Sequence, residues 1–193
     1  HAFVKRIGKT PLLLRDGSAG FLVNAGLAAY FEAAESLYRE GTPAETIDSA
    51  LRAAVFPMGP FELSDQAGLD IAAGLLDTIA AVKRPETEPL VWKMRELGRL
   101  GVKTGAGYYD YSEGSACGEW QGLAALVPER GTRIADPDEV VERCIRPLHD
   151  KATELVTAGI VGGAEEADMA FVLGMGFAMH LGGPIYYGRQ QGW

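Results

Sequence analysis

The sequence predicts an all-α fold with a duplicated helical unit, and three observations carry that reading. Val23, Leu27, Tyr30, Ala34 and Leu37 recur at alternating spacings of four and three, which lines one face of a helix of about five turns. A second stripe of this kind runs through Val141, Cys144, Ile145, Leu148, Ala152, Leu155 and Val156. Glycine supplies 25 of 193 residues, against a usual share of roughly 7%, and many of these glycines fall in turns between helical stretches.

The elements follow in order. His1 to Ile7 reads as the tail of a helix, ended by Lys5-Arg6 and Gly8. The apolar run Leu12-Leu13-Leu14, between Pro11 and Asp16-Gly17, reads as a buried strand. A helix end and a lone strand are expected at the edge of an α/β sheet whose remainder is not in the chain. The alternative is an N-terminal arm on an independent helical protein. The first long helix spans Phe21 to Glu40, and Gly41 ends it. Thr42 is the expected N-cap of the next, with Pro43 at its first position. Phe56-Pro57-Met58-Gly59-Pro60-Phe61 breaks the helical pattern, and packing is its expected role. Shorter helices are expected at Leu63–Ala67, Asp70–Val82 and Leu90–Leu100. Gly101 to Tyr111 reads as a turn and a short extended piece. Residues 112–136 show no period and read as a linker or long surface connection. Further helices are expected through Val141–Val156, at Ala164–Leu173 and after Gly182-Gly183-Pro184.

The two helical regions resemble each other. Each has a long helix, a glycine turn at Gly41 or Gly159, and an acidic helix holding Asp48 or Asp168. Each then has an aromatic, glycine-proline segment. Chance similarity of two amphipathic hairpins is the alternative. The boundaries expected are 1–16 for the remnant edge, 17–111 for the first helical domain, 112–136 for the linker and 137–193 for the second repeat.

Composition excludes several function classes. The net charge of −8 argues against nucleic acid and anionic membrane surfaces. No apolar run is long enough for a transmembrane helix. Cys117 and Cys144 have no CxxC partner, so no disulfide scaffold or zinc site is expected, and the cytoplasm is the default compartment. No dinucleotide fingerprint occurs. Gly105-Ala106-Gly107 comes closest, with Asp110 at the third glycine position. His149 reads as a solvated or partly packed surface residue and His180 as a packed one. Glu165-Glu166 reads as a solvated helix face.

Asn24 stands out near the start of an apolar helix. Asn is a mediocre helix former, and a covered amide would need a partner, since an unmade buried hydrogen bond costs ~1–3 kcal/mol. A capping or surface Asn is the plainer alternative.

The segment Gly20-Phe21-Leu22-Val23-Asn24, with Tyr30 and Glu32-Ala33, then Phe56 to Leu63, Gly68-Leu69-Asp70 and Lys103 to Tyr111, resembles the 3-hydroxyacyl-CoA dehydrogenase family. The lead-in Gly8-Lys9-Thr10-Pro11 fits as well. The likeness is to that family's helical C-terminal domain. Arg143-Cys144, Glu165 to Ala170, Gly174 to Phe177 and Gly182-Gly183-Pro184 resemble the additional C-terminal repeat of multifunctional fatty-acid β-oxidation enzymes. The resemblance implies an oxidoreductase that converts 3-hydroxyacyl-CoA to 3-ketoacyl-CoA with NAD, in lipid metabolism. It implies a Rossmann-type domain upstream that holds NAD and a catalytic His-Glu pair, neither of which is found here. Asn24 becomes the active-site Asn that hydrogen-bonds near the substrate carbonyl. The implied partners are the acyl-CoA substrate, the missing Rossmann domain and a second copy in a homodimer. The isolated chain is expected to be inactive. Ala25 stands where the family has Arg, Gly26 lowers helix propensity by roughly 1 kcal/mol relative to Ala, and Ala29 replaces Pro before the Tyr. A non-catalytic dimerisation or docking module is the alternative function.

Overall fold

A computed structural model describes residues 2–82 and 85–193. His1 therefore lies outside the described residues. The helices are α1 (Ala2–Arg6), α2 (Val23–Glu40), α3 (Ala44–Ala54), α4 (Pro60–Ala67), α5 (Leu69–Ala80), α6 (Leu90–Glu96), α7 (Pro137–Thr157), α8 (Ala164–Met175) and α9 (Pro184–Gln191). One hairpin among the described residues, β1 (Tyr109–Ser112) and β2 (Ser115–Glu119), pairs antiparallel around Glu113-Gly114.

The two striped helices, α2 and α7, pack on each other at the centre. Glu40, at the end of α2, meets Arg143 near the start of α7. Gly26, near the start of α2, faces Leu148 further along α7, so the pair runs antiparallel. Tyr30, Leu37, Cys144, Ile145 and Leu148 are fully buried at this seam and its neighbours. Gly26 is not a weakness there. A Cβ on it would stand 2.6 Å from the Phe171 ring and 2.7 Å from Leu148. The missing methyl lets α8 and α7 close on α2, and that packing outweighs the propensity loss.

Thr42 does not cap α3. It is buried, and its hydroxyl accepts from Ala135 N–H at 3.0 Å. The first N–H of α3, on Ala44, donates instead to Glu119 Oε2 of β2 at 2.8 Å. Residues 112–136 form a bonded strap rather than a loose connection. The Arg130 guanidinium stacks 4.4 Å over the Tyr38 ring and donates to the carbonyls of Tyr38 and Gly41. Gly131 N–H and Arg133 N–H donate to the carbonyls of Arg39 and Glu40. The last carbonyls of α2, which no helix can satisfy internally, are thus paired by the strap.

The Leu12–Leu14 run is not a strand. Leu14 makes one bridge with Val161, and Arg15 N–H donates to Ile160 O at 2.8 Å. Leu13 is exposed. With only a turn beyond α7 to pair against, no ladder extends. His180 is exposed, against expectation, because it lies on a one-turn 3₁₀ segment at the surface, Met179–Leu181. His149 is buried, its ring against Trp193 and close to Gly188.

The duplication is visible in geometry. In the first repeat the Asp48 carboxylate, on α3, accepts from Phe61 N–H at 3.0 Å and Glu62 N–H at 2.8 Å, the start of α4. In the second, Asp168 on α8 accepts from Ile185 N–H at 2.7 Å and Tyr186 N–H at 3.0 Å, the start of α9. Each clamp follows a Gly-Pro pair. A Cβ on Gly59 would fall 2.2 Å from Asp48 Cα, and one on Gly183 would fall 2.4 Å from Asp168 Cβ. Carboxylates placed on helix N-termini satisfy orphan N–H groups and oppose the positive end of the dipole.

Candidate functional site

Asn24 occupies the first turn of α2, and the turn before it sets its position. Ser18 Oγ donates to Phe21 O at 2.8 Å and Phe21 N–H donates to Ser18 O at 3.1 Å. Gly20 takes the left-handed backbone this turn needs, φ 81°. α2 then starts, with Asn24 exposed and Ala25 buried. Among the described residues the Asn24 side chain makes no hydrogen bond, so its amide can both donate and accept outward. The covered face that would have demanded a partner is not formed by this chain. Ala25 points inward, where the core leaves room for a methyl.

The other segments of the resemblance assemble elsewhere, around two buried carboxylates, Asp48 and Asp65, and a largely buried third, Glu35, that sequence reasoning missed. Tyr108, Tyr109 and Tyr111 each donate a hydroxyl to a different one. Tyr109 Oη lies 2.7 Å from Asp48, Tyr111 Oη 3.0 Å from Asp65, and Tyr108 Oη 3.4 Å from Glu35. Asp65 also accepts from the N–H groups of Tyr108 and Tyr109, and Glu35 accepts from Leu90 N–H, the start of α6. The signal for Asp48 was available. It falls between Ile47 and Leu51 on an apolar helix face, ahead of a Gly-Pro pair. Lys103 pairs with Asp70, which ties the two remaining segments together. The Phe56–Phe61 segment is packing: both aromatic rings are buried, Phe56 against Tyr30 and Phe177, Phe61 against Tyr38 and Tyr108.

Burial pushes Glu35 and Asp48 each up to about 7, outweighing the hydrogen bonds they accept, and raises Asp65 as well. Groups held above their unfolded values stabilise the fold fully below pH about 4, and that contribution is lost as pH rises through about 7. The partly exposed carboxylates Glu40 and Glu139 are held low by Arg143 and Arg133 respectively. They stay ionised across that window and do not offset it. Thermal melts are therefore expected to show Tm falling between about pH 4 and 7 and levelling above it, at roughly 2–4 °C per kcal/mol for a chain of this size. Glu35→Gln, which keeps an acceptor for Leu90, should flatten the slope. An unchanged slope in that variant would remove Glu35 from the titration.

The description "3-hydroxyacyl-CoA dehydrogenase, C-terminal domain" belongs to the family that matches residues 20–111, from the Asn24 turn to the third tyrosine. This segment belongs to that dehydrogenase family. The chain is 35% identical over 189 residues to a fatty acid oxidation complex subunit alpha of Vibrio cholerae, covering 95% of the chain and 26% of the relative. It is 32% identical over 193 residues to the subunit of that name from Shewanella sp. (strain ANA-3), covering 96% and 27%. The chain thus spans about a quarter of the length of these curated relatives. A solved 3-hydroxybutyryl-CoA dehydrogenase from Escherichia coli shares the fold, with TM-score 0.74 at 20% identity, over 98% of this chain and 56% of that one.

In this dehydrogenase C-terminal domain the glycine turn is no nucleotide site. A Cβ on Gly107 would lie 2.1 Å from Asp65 Oδ1. The N–H groups of Tyr108 and Tyr109, which a pyrophosphate would need, already donate to that carboxylate. This turn therefore has no free N–H groups to offer a dinucleotide. Among the described residues no group of three His, Cys, Asp or Glu is placed to hold a metal, and no helix is long and apolar enough to cross a membrane. A groove of about 430 Å³ between α2 and α7 lies further along α2, lined by Ala33, Ser36, Arg143 and Arg146 among others. Its arginines are paired with Glu40, Glu139 and Glu142.

Proposed function

We propose that this chain is the helical C-terminal part of an NAD-dependent 3-hydroxyacyl-CoA dehydrogenase acting in fatty-acid β-oxidation, and that it supplies one wall of the substrate cleft. The carrying observation is Asn24: an exposed amide with no hydrogen-bond partner among the described residues, held on the first turn of α2 within the matched family segment. In this reading 1–16 is the edge of the nucleotide domain, 17–111 the first helical domain, 112–136 the strap and 137–193 the second repeat.

The Asn24 amide donates an N–H to the substrate oxygen as it becomes a carbonyl. It does so without titrating, so the donor is present at every working pH. NAD supplies the hydride acceptor and is bound outside this chain. The proton of the hydroxyl goes to a base that is also outside it. The chain's own contribution is to fix the donor on a helix anchored by the α2–α7 pair. Homodimerisation would use another face, since that pair is satisfied within the chain. Cys117 and Cys144 are both unpaired, which supports work in the reducing cytoplasm.

The test is NADH formation from a 3-hydroxyacyl-CoA. The full-length gene product should turn over and the isolated 193-residue chain should not. Turnover by the isolated chain at the full-length rate would overturn the division of labour.

A further inference from the structure

Phe21 and Glu113 are the non-glycine residues with left-handed backbone among the described residues, φ 56° and 52°. Glu113 has a local reason: with Gly114 it makes the two-residue turn of the hairpin. Phe21 has none. A bulky side chain at positive φ is a conformational outlier, and Gly or Asn would adopt the same backbone with less strain. The core does not recover that cost, because Phe21 is 62% exposed. Ser18 nevertheless pins the strained residue through both its hydroxyl and its carbonyl. A ring that burdens the fold, is held rigidly and faces outward is placed for something other than packing.

Its surroundings say what. Residues 17–31 carry no charged side chain, so the neighbourhood does not suit the phosphates of a coenzyme. Val23, on the first turn of α2, lies against α8: a Cβ on Gly174 would stand 3.4 Å from it. α2 thus begins against α8 in an uncharged neighbourhood, close to Asn24.

We infer that Phe21 is a specificity-determining residue whose ring lies along the carbon chain of the acyl group. The inference rests on the dehydrogenase reading above. It predicts that discrimination between long and short acyl groups resides partly in this strained turn.

The experiment compares Phe21→Gly and Phe21→Leu with the wild type in the full-length gene product, using 3-hydroxyacyl-CoA substrates of four and sixteen carbons. Phe21→Gly should lower the ratio of long-chain to short-chain kcat/KM about tenfold. Phe21→Leu should restore most of it. The melting temperature of Phe21→Gly should be no lower than wild type, since the strain is relieved. An unchanged ratio, or equal losses on both substrates, overturns the inference and would place the ring against protein instead. A lowered melting temperature also overturns it, by showing that the fold uses the ring. An inactive wild-type protein would bring down the dehydrogenase reading and this inference together. An active wild type with an unaltered length preference in Phe21→Gly would bring down this inference alone.

Discussion

Asn24→Ala should lower kcat/KM of the full-length protein by about 10- to 1000-fold and leave its melting temperature almost unchanged. The two halves of that expectation have separate causes. Asn24 is exposed and makes no hydrogen bond among the described residues, so its removal costs the fold within about 0.5 kcal/mol, as for other surface changes. On the proposed reading, the loss in rate would come from one donor aimed at developing charge in the closed cleft, where a hydrogen bond is worth more than in solvent. Asn24→Asp is the informative companion. It keeps the shape but replaces a donor with an anion, so it should be no better than Ala. Steady-state kinetics with a 3-hydroxyacyl-CoA and NAD, alongside a melt, reads both halves. Unaltered kinetics in Asn24→Ala would take the residue out of the site. A large drop in Tm would assign it to the fold.

The largest effect on stability is expected at Asp48. Its carboxylate holds the first two N–H groups of α4 and the Tyr109 hydroxyl, in a place that is 1% exposed. Asp48→Ala orphans three buried donors at once. At ~1–3 kcal/mol for each unmet group, a loss of at least about 3 kcal/mol is expected. The backbone of α3 and α4 cannot close the gap freely, because Gly59 already touches Asp48. Asp168→Ala removes the corresponding clamp in the second repeat. It orphans only the two N–H groups of α9, so it should cost less, about 2 kcal/mol. Chemical denaturation of the two variants gives the comparison directly. Equal losses would mean that the tyrosine bond adds nothing. A loss below about 1 kcal/mol at Asp48 would mean that water replaces the carboxylate.

These two residues also show how far the sequence could be read. Helical spacing found α2, α3, α5, α7 and α8 to within a few residues, because an apolar face must recur with the helical period to reach a core. Gly183-Pro184 marked the start of α9, since Pro tolerates the first helical position and Gly admits the close approach before it, whereas the expected break at Gly59-Pro60 is in fact the start of α4, which begins at Pro60 rather than Leu63. The motif segments pointed to the dehydrogenase C-terminal domain. They did not reveal that most of them build a frame around Asp48, Asp65 and Glu35 rather than a site around Asn24. A buried carboxylate looks like a surface one until its partners are known, and those partners lie 13 to 73 residues away. Thr42 is a case of the same kind. Its local pattern is that of a helix cap, and a distant N–H on Ala135 took the hydroxyl instead.

By itself the sequence determined the helical class, the doubling of the unit and the candidate amide, because periodicity and turn chemistry are local and survive in a string of letters. The tertiary structure alone decided that Gly26 is a contact between helices, that residues 112–136 bind the end of α2, that residues 10–16 pair at one point only, and that Phe21 is strained in the open. Each of those depends on what the chain meets in space. Close approach, the pairing of orphan carbonyls and the burial of charge are set by neighbours remote in sequence, and no local pattern encodes them.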